Sequence, residues 1–334
     1  MKVSAYASFQ EKSELEPYEF ELKPLQDHEV LVKITHCGIC HSDVHLIDND
    51  WKISSYPLVP GHEIIGIVEK TGKNVKNLKI GMRVGIGWQA GSCGHCEYCL
   101  MGQEQFCEKH IATCVGRPGG FATYTVVESK FAIPIPEDLP SDTTAPLLCG
   151  GITVYNPLRN FAHPSIKIGV IGMGGLGHLA IEFASAFGCE IIVFSTTKEK
   201  EREAKELGAH HFVYLPELTK KEIRLLKRSF DMILSTVFVD LDWNMFLSFL
   251  KPNGRLHFVG AGGTLNIPIP NILENLHISG SIIGSPSLIK EMLEFARRHK
   301  IKAKIETFPL EEVNQAIRKL RNNTIRYRAV LFHK

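Results

Sequence analysis

The 334-residue chain is 44% hydrophobic, enough for two ordinary domains with separate cores that fold without disulfides. Its 38 Lys and Arg nearly balance its 36 Asp and Glu, and no basic stripe interleaves with aromatics, so nucleic acid is not an expected partner. Lys2, Glu11, Lys12 and Glu14 interrupt the first twenty residues, and six glycines with His178, Glu182 and Glu190 break the apolar stretch Ile168 to Phe194, so no secretory signal or membrane span is expected and the location is read as cytoplasmic.

From Glu29 to Val127, short β-branched runs (Val30-Leu-Val-Lys-Ile-Thr35, Ile64-Ile-Gly-Ile-Val68, Tyr124-Thr-Val-Val127) alternate with Gly, Pro and Asn, which predicts an irregular β-rich lobe. Within it, Cys37-Gly-Ile-Cys40-His41-Ser42-Asp43-Val-His45 and Pro60-Gly61-His62-Glu63 offer a thiolate and an imidazole from separated segments. A catalytic zinc needs three protein ligands and one open position, so a third ligand must come from elsewhere. Further on, Cys93-Gly-His-Cys96-Glu-Tyr-Cys99 and Cys107 place four of the nine cysteines on one loop. Four thiolates suit a closed, structural zinc site. An iron–sulfur run begins the same way, but its fourth cysteine follows after three intervening residues and precedes proline, whereas Cys107 follows Cys99 after seven and precedes glutamate.

Between about Thr144 and Ser285 the rhythm becomes strand, glycine turn and amphipathic helix. Successive strands are expected at Ile168–Ile171, Glu190–Phe194, His211–Tyr214, Met232–Leu234 and Arg255–Val259, the pattern of a doubly wound parallel sheet. Gly172-Met173-Gly174-Gly175-Leu176-Gly177 follows the first of these strands and opens a helix over Leu179 to Phe187, where such glycines let a pyrophosphate approach the helix N-terminus. The next strand ends in Phe194-Ser195-Thr196-Thr197 with no Asp or Glu for a ribose 2′-hydroxyl, and Lys198, Lys200 and Arg202 stand close behind. Hydroxyls and lysine could hold a 2′-phosphate, so NADP(H) is preferred over NAD. Thr196 and Glu199 also fit a capping box for the helix that follows. Leu288 to Arg298 reads as an amphipathic helix and Arg328-Ala-Val-Leu-Phe332 as a closing strand.

The motifs at 37–43, Tyr-Pro-Leu-Val-Pro-Gly-His-Glu at 56–63, Gly-Ser-Cys-Gly-His-Cys-Glu-Tyr-Cys at 91–99, Ala-Pro-Leu-Leu-Cys-Gly-Gly-Ile-Thr-Val-Tyr at 145–155 and the glycine turn occur in one order through nearly the whole chain. They resemble the zinc-containing medium-chain dehydrogenase/reductase family, most closely its cinnamyl alcohol dehydrogenase branch. The resemblance implies Cys40, His62 and Cys149 as catalytic zinc ligands, although a lone cysteine in Leu-Leu-Cys-Gly would otherwise be read as core. It implies that Glu63 can approach the metal during ligand exchange, that Asp43 fixes the His62 tautomer, and that a proton passes from the substrate oxygen through Ser42 and on to His45. It also implies cofactor contacts at His41, Ser42, Arg328, Thr153, Thr236, Gly260 and Ser281-Ile282-Ile283, beside the glycine turn, Ser195, Thr196, Thr197 and Lys200. Trp51 and Trp88 match positions lining an apolar substrate pocket.

The fold class is therefore expected to be α/β: a GroES-like catalytic domain of residues 1–145, completed by 286–334, and a Rossmann domain of residues 146–285. The expected activity is hydride transfer between NADP(H) and a primary alcohol or aldehyde, aromatic or medium-chain, in a homodimer with one catalytic and one structural Zn2+. The rivals are an NAD-dependent polyol or small-alcohol dehydrogenase and a non-catalytic NADPH-binding zinc protein; the latter would be expected to lose Cys40, His62 or Ser42, and all three are present. Gly150-Gly151, the Gly208-Ala-His-His211 stretch without an acidic residue and the short chain depart from the family pattern.

Overall fold

In Glu29–Ile39, Val30, Val32 and Ile34 are buried and Lys33 is exposed, the period-two pattern of a strand with one face on a core. This strand is the spine of a seven-stranded sheet in the computed structural model, which describes residues 1–333. The sheet runs Ile305–Pro309, Arg328–Phe332, Glu29–Ile39, Glu63–Thr71, Arg83–Ile86, Ile133–Pro134, with Tyr124–Glu128 also paired to the spine. Ala329 faces Ile39 across antiparallel strands, so the C-terminal tail is built into the N-terminal sheet. Residues 1–152 and the segment from Ile283 onward form one compact unit, with a core that joins Val30, Val32, Ile64 and Phe121 to Val313, Ile317 and Leu331.

Gly38 pairs with Glu63, which places Cys40 and His62 at the same end of the two central strands. The helix His41–Ile47 starts immediately after Cys40 and turns its first carboxylate, Asp43, back onto the Cys40 N–H at 2.9 Å. A longer helix, Pro286–His299, has Pro286 in its first turn and Ser285 accepting the Leu288 N–H at 3.3 Å, a serine N-cap with proline at the first helical position. Its buried residues Ile289, Met292, Leu293 and Ala296 recur at helical spacing.

The second unit, Thr153–Ile282, contains six strands, all parallel, in the order His211–Tyr214, Glu190–Ser195, Lys167–Ile171, Phe230–Ser235, Leu250–Phe258, His277–Gly280. In sequence rank this is 3-2-1-4-5-6, the doubly wound dinucleotide-binding order. The runs IGVI and IIVF are buried throughout because helices cover both faces of such a sheet. Gly172 adopts φ +88° to turn the chain, and a Cβ on Gly177 would lie 2.1 Å from the Gly172 oxygen, so side chains are excluded where the helix closes on the turn.

The chain after Glu190–Ser195 departs from expectation. Thr196 caps nothing: a short 3-10 turn, Lys198–Lys200, precedes the helix Glu201–Glu206. The Ser195 hydroxyl accepts the Thr197 N–H at 3.1 Å, and Thr197, at the N-terminus of the turn, makes no side-chain cap. The local serine turn thus replaces the capping box and leaves Thr196 exposed.

In Leu250–Phe258, His257 is 4% exposed and is held between Ser279 Oγ and Ser281 Oγ, each 2.9 Å from a ring nitrogen. Burial, and then the Arg255 charge, pull its imidazole down to about 4. An unfolded histidine titrates near ~6.5, so between these values the unfolded chain binds more protons and stability falls as pH is lowered. The contribution is complete above the unfolded value and is lost as pH falls toward about 4, amounting to roughly 2 to 3 kcal/mol. Urea unfolding from pH 7 to 4.5 should show a shallower loss of stability for His257→Gln than for the parent; equal slopes would contradict this assignment.

Candidate active site and metal centres

The loop from Ser92 to Cys107 carries the first donor set. Cys96 leads into the one-turn helix Glu97–Leu100, and the 3-10 turn Glu104–Phe106 delivers Cys107. Glu104 is buried and its carboxylate lies 2.5 Å from Lys130 Nζ, anchoring the loop. The Sγ atoms of Cys93, Cys96, Cys99 and Cys107 all lie within 4.8 Å of one another, with Cys93 and Cys99 3.9 Å apart. Zinc–sulfur bonds of ~2.3 Å in a tetrahedron require sulfurs about 3.8 Å apart, so the four thiols fit the ion. The His95 and Cys96 amides hold Cys93 down to about 6, whereas Cys96, despite the Cys99 amide, is pushed up to about 11 by burial and the neighbouring thiols. One thiolate thus forms at the expense of its neighbours, and a bound cation relieves that conflict.

The second set is buried. Cys40, His62, Glu63 and Cys149 offer ligand atoms within 4.8 Å of one another, and His62 Nε2 is 3.3 Å from Cys149 Sγ; ideal zinc geometry would separate such atoms by about 3.6 Å. Asp43 organises the set. Its Oδ1 accepts from His62 Nδ1 and from the Gly61 N–H, both at 2.9 Å, and its Oδ2 accepts the Cys40 N–H. One carboxylate therefore ties the two loops together, fixes the proton on His62 Nδ1 and turns Nε2 toward the thiols. Cys149 arrives from the end of the 3-10 turn Ala145–Leu148. The hydrogen bond from Cys149, then that from His62, holds Cys40 well below the usual thiol range against burial; Cys149 is correspondingly raised. Burial opposes the charge on His62, but Asp43 together with Cys149 and Cys114 outweighs it and raises the imidazole. A second grouping, Asp43, His62 and Cys114, reuses an Asp43 that already accepts three hydrogen bonds.

Glu63 points into the same space. Its Oε1 accepts from Arg328 Nη2, and its Oε2, although buried, has no partner. Burial, opposed by Arg328, pushes Glu63 up to about 7. A Cβ on Gly38 would sit 2.0 Å from Glu63 Oε2, so the glycine between Cys37 and Cys40 makes room for this carboxylate.

Ser42 Oγ is 3.7 Å from Cys40 Sγ. His45 Nδ1 is 2.7 Å from Asp50 Oδ2, a partner that sequence reasoning missed. Asp50 sits at the end of the helix-terminal turn, where its N–H reaches the His45 carbonyl at 3.0 Å, a placement that no helical spacing signals. A continuous aromatic wall joins the two histidines. His45 lies 5.3 Å from Trp51, Trp51 meets Trp88 edge-on at 6.1 Å, and Trp88 meets His62 edge-on at 5.0 Å. The other cysteines, Cys37, Cys114 and Cys189, are buried thiols raised by burial, as inert core residues are.

In the second unit the expected cofactor residues gather at the carboxyl ends of the parallel strands. Gly172 to Gly177 follows Lys167–Ile171, Thr196 and Thr197 follow Ser195, Thr236 follows Phe230–Ser235, Gly260 lies two residues past Leu250–Phe258, and Ser281 and Ile282 follow His277–Gly280. Thr236 Oγ1 donates to the Ile171 carbonyl at 2.8 Å and Lys200 Nζ to the Met173 carbonyl at 2.8 Å. Ligands of open α/β sheets bind along this edge. Thr153, buried in the helix Gly150–Phe161, opens this unit, whereas His41, Ser42, Ile283 and the buried Arg328 belong to the first.

A β-rich unit with one closed and one open zinc-type donor set, and a unit with a dinucleotide-binding sheet, define the class of zinc-binding dehydrogenases. Residues 26–137 match the alcohol dehydrogenase GroES-like domain and residues 175–298 the zinc-binding dehydrogenase domain. The chain is 40% identical to the aldehyde reductase AdhA of Synechocystis sp., over 99% of each protein. It superposes with a TM-score of 0.95 and 36% identity on a cinnamyl alcohol dehydrogenase of Sorghum bicolor, covering 99% of this chain and 98% of that one. The cinnamyl alcohol dehydrogenase of Helicobacter pylori, solved in complex with NADP(H), gives 0.91 and 32% over 99% and 98%. The chain belongs to the zinc-containing medium-chain dehydrogenase/reductase family, in its cinnamyl alcohol dehydrogenase branch, and is an alcohol dehydrogenase of the zinc type. Among the described residues no helix is long and apolar enough to cross a membrane.

Proposed function

We propose that the chain is an NADP(H)-dependent aldehyde reductase and primary alcohol dehydrogenase acting on aromatic and medium-chain apolar substrates. The observation that carries this reading is the convergence of Cys40, His62 and Cys149 beside the Trp51–Trp88 wall. In this reading residues 1–145 with 286–334 form the catalytic domain and residues 146–285 the cofactor domain.

When bound, zinc supplies Lewis-acid polarisation of the substrate oxygen and the nicotinamide supplies or accepts hydride. Cys40, His62 and Cys149 would hold the catalytic ion, Asp43 keeps His62 in the tautomer that would ligate it, and Cys93, Cys96, Cys99 and Cys107 would hold the structural ion. Ser42 takes the hydroxyl proton at Oγ during oxidation and returns one during reduction. His45, oriented by Asp50 at Nδ1, exchanges that proton at Nε2. Arg328 holds Glu63 and leaves its Oε2 without a partner in the same space, where it would offer the ion a further oxygen donor. Trp51 and Trp88 exclude water and select apolar substrates by shape.

NADP(H) preference is supported by the absence of a carboxylate at Ser195-Thr196-Thr197 and by Lys200 reaching over the glycine turn. The Helicobacter pylori relative, solved with NADP(H), agrees. Charge-assisted hydrogen bonds contribute roughly 1.5 to 3 kcal/mol, so Lys200→Ala should raise KM for NADPH about 10-fold or more and leave NADH almost unchanged, and Thr196→Asp should favour NADH. A parent enzyme with the higher kcat/KM for NADH would overturn the preference.

A homodimer fits the outer strand His277–Gly280, which ends the sheet, and the exposed side chains of Ile269, Leu273 and Ile282 in the segments that precede and follow it in the chain. Unpaired edges of this kind are usually covered. Light scattering should give about twice the chain's 37.4 kDa, and Leu273→Glu should lower it toward the monomer; a monomeric parent would contradict the proposal.

A further inference from the structure

Arg255 and His257 stand two residues apart on one strand, with Ser279 opposite His257 on the next, so the three share one face of the sheet, and Ser281 follows just past the end of that second strand. The Arg255 guanidinium lies 4.0 Å above the Phe161 ring and donates to Ser279 Oγ at 3.0 Å. His257 Nδ1 and Nε2 then lie 2.9 Å from Ser279 Oγ and Ser281 Oγ. Arginine can only donate, so Ser279 Oγ accepts from it and keeps one lone pair and one proton for His257 Nδ1. In either tautomer the neutral ring bonds Ser279 through Nδ1 and Ser281 through Nε2, one nitrogen donating and the other accepting. Burial, which disfavours the imidazolium form of His257, keeps this arrangement through the neutral range.

We infer that His257 is a positioning residue for dinucleotide binding: its Nε2, bonded to Ser281 Oγ, fixes the Ser281 side chain, and with it the segment Ser281-Ile282 that leaves the last strand. The inference rests on the assignment of Ser281 and Ile282 to the cofactor groove. Apolar residues could fill the space of His257, but none could orient Ser281, so the effect should appear in cofactor affinity and be relayed through one serine.

The test measures NADPH dissociation constants by fluorescence on the zinc-loaded enzyme. Loss of one buried hydrogen bond should weaken binding about 3- to 10-fold, so His257→Leu and Ser281→Ala should each raise Kd by that factor. The double variant should be no weaker than the worse single one, because both remove the same link. His257→Gln, which retains an amide donor at similar reach, should bind within about twofold of the parent. Steady-state kinetics of His257→Leu should show a raised KM for NADPH with little change in kcat. Unchanged affinity in His257→Leu, or multiplied losses in the double variant, would overturn the inference. Ser281→Trp separates the two levels. If it binds NADPH normally, the groove assignment itself is wrong; if it blocks binding while His257→Leu is neutral, the groove stands and only the role of His257 falls.

Discussion

Cys149→Ser is expected to lower bound zinc from about two ions per chain to about one, and to reduce kcat/KM for aldehyde reduction by roughly a thousandfold or more. Polarisation of an oxygen by a metal is worth several kcal/mol, and each ~1.4 kcal/mol is a factor of ten. The expectation follows from geometry: His62 Nε2 faces Cys149 Sγ at 3.3 Å, and its other nitrogen is engaged by Asp43. Cys114→Ala is the matched control. Cys114 is also buried beside His62, yet its loss should leave two ions bound and most of the activity. Metal analysis with kinetics on both variants checks this, and the reverse ranking would transfer the site to Asp43, His62 and Cys114.

Ser42→Ala should keep both zinc ions and lose roughly 10²- to 10⁴-fold in kcat near neutrality, the range of a positioned proton-transfer group. Ser42→Thr keeps the hydroxyl and should recover most of the rate. Asp50→Asn should produce a smaller loss, because Asn can still accept from His45 Nδ1 but no longer supports a charged ring. Full turnover of Ser42→Ala across neutral pH would remove both Ser42 and His45 from the proton path.

The architecture was legible because its signals are local. The buried runs at 168–171 and 191–194 read as parallel strands, and the glycine turn between strand and helix needs no long-range information. The four-cysteine loop was legible for the same reason. Cys149 was not, since a single thiol among leucines looks like core until a chain fold brings His62, 87 residues away, against it; only the resemblance singled it out. The Glu63–Arg328 pair was invisible because it joins residues 265 apart through the pairing of the C-terminal strand with the central sheet. The resemblance alone implies a cofactor contact at Arg328, and the fold adds that its guanidinium is buried against Glu63. Asp50 escaped because a spacing of five residues matches no helical face; the turn at Asp48 to Asp50 bends the carboxylate back. Thr196 shows the converse, a local signature overridden by the stronger hydroxyl turn at Ser195.

Anomalous diffraction at the zinc edge, on crystals of the enzyme as purified, tests the central claim most directly. Two peaks are expected per chain: one enclosed by Cys93, Cys96, Cys99 and Cys107, the other within about 2.0 to 2.3 Å of Cys40 Sγ, His62 Nε2 and Cys149 Sγ. A single peak at the four-cysteine loop, or a second peak bonded to Asp43 and Cys114 instead, would contradict the account.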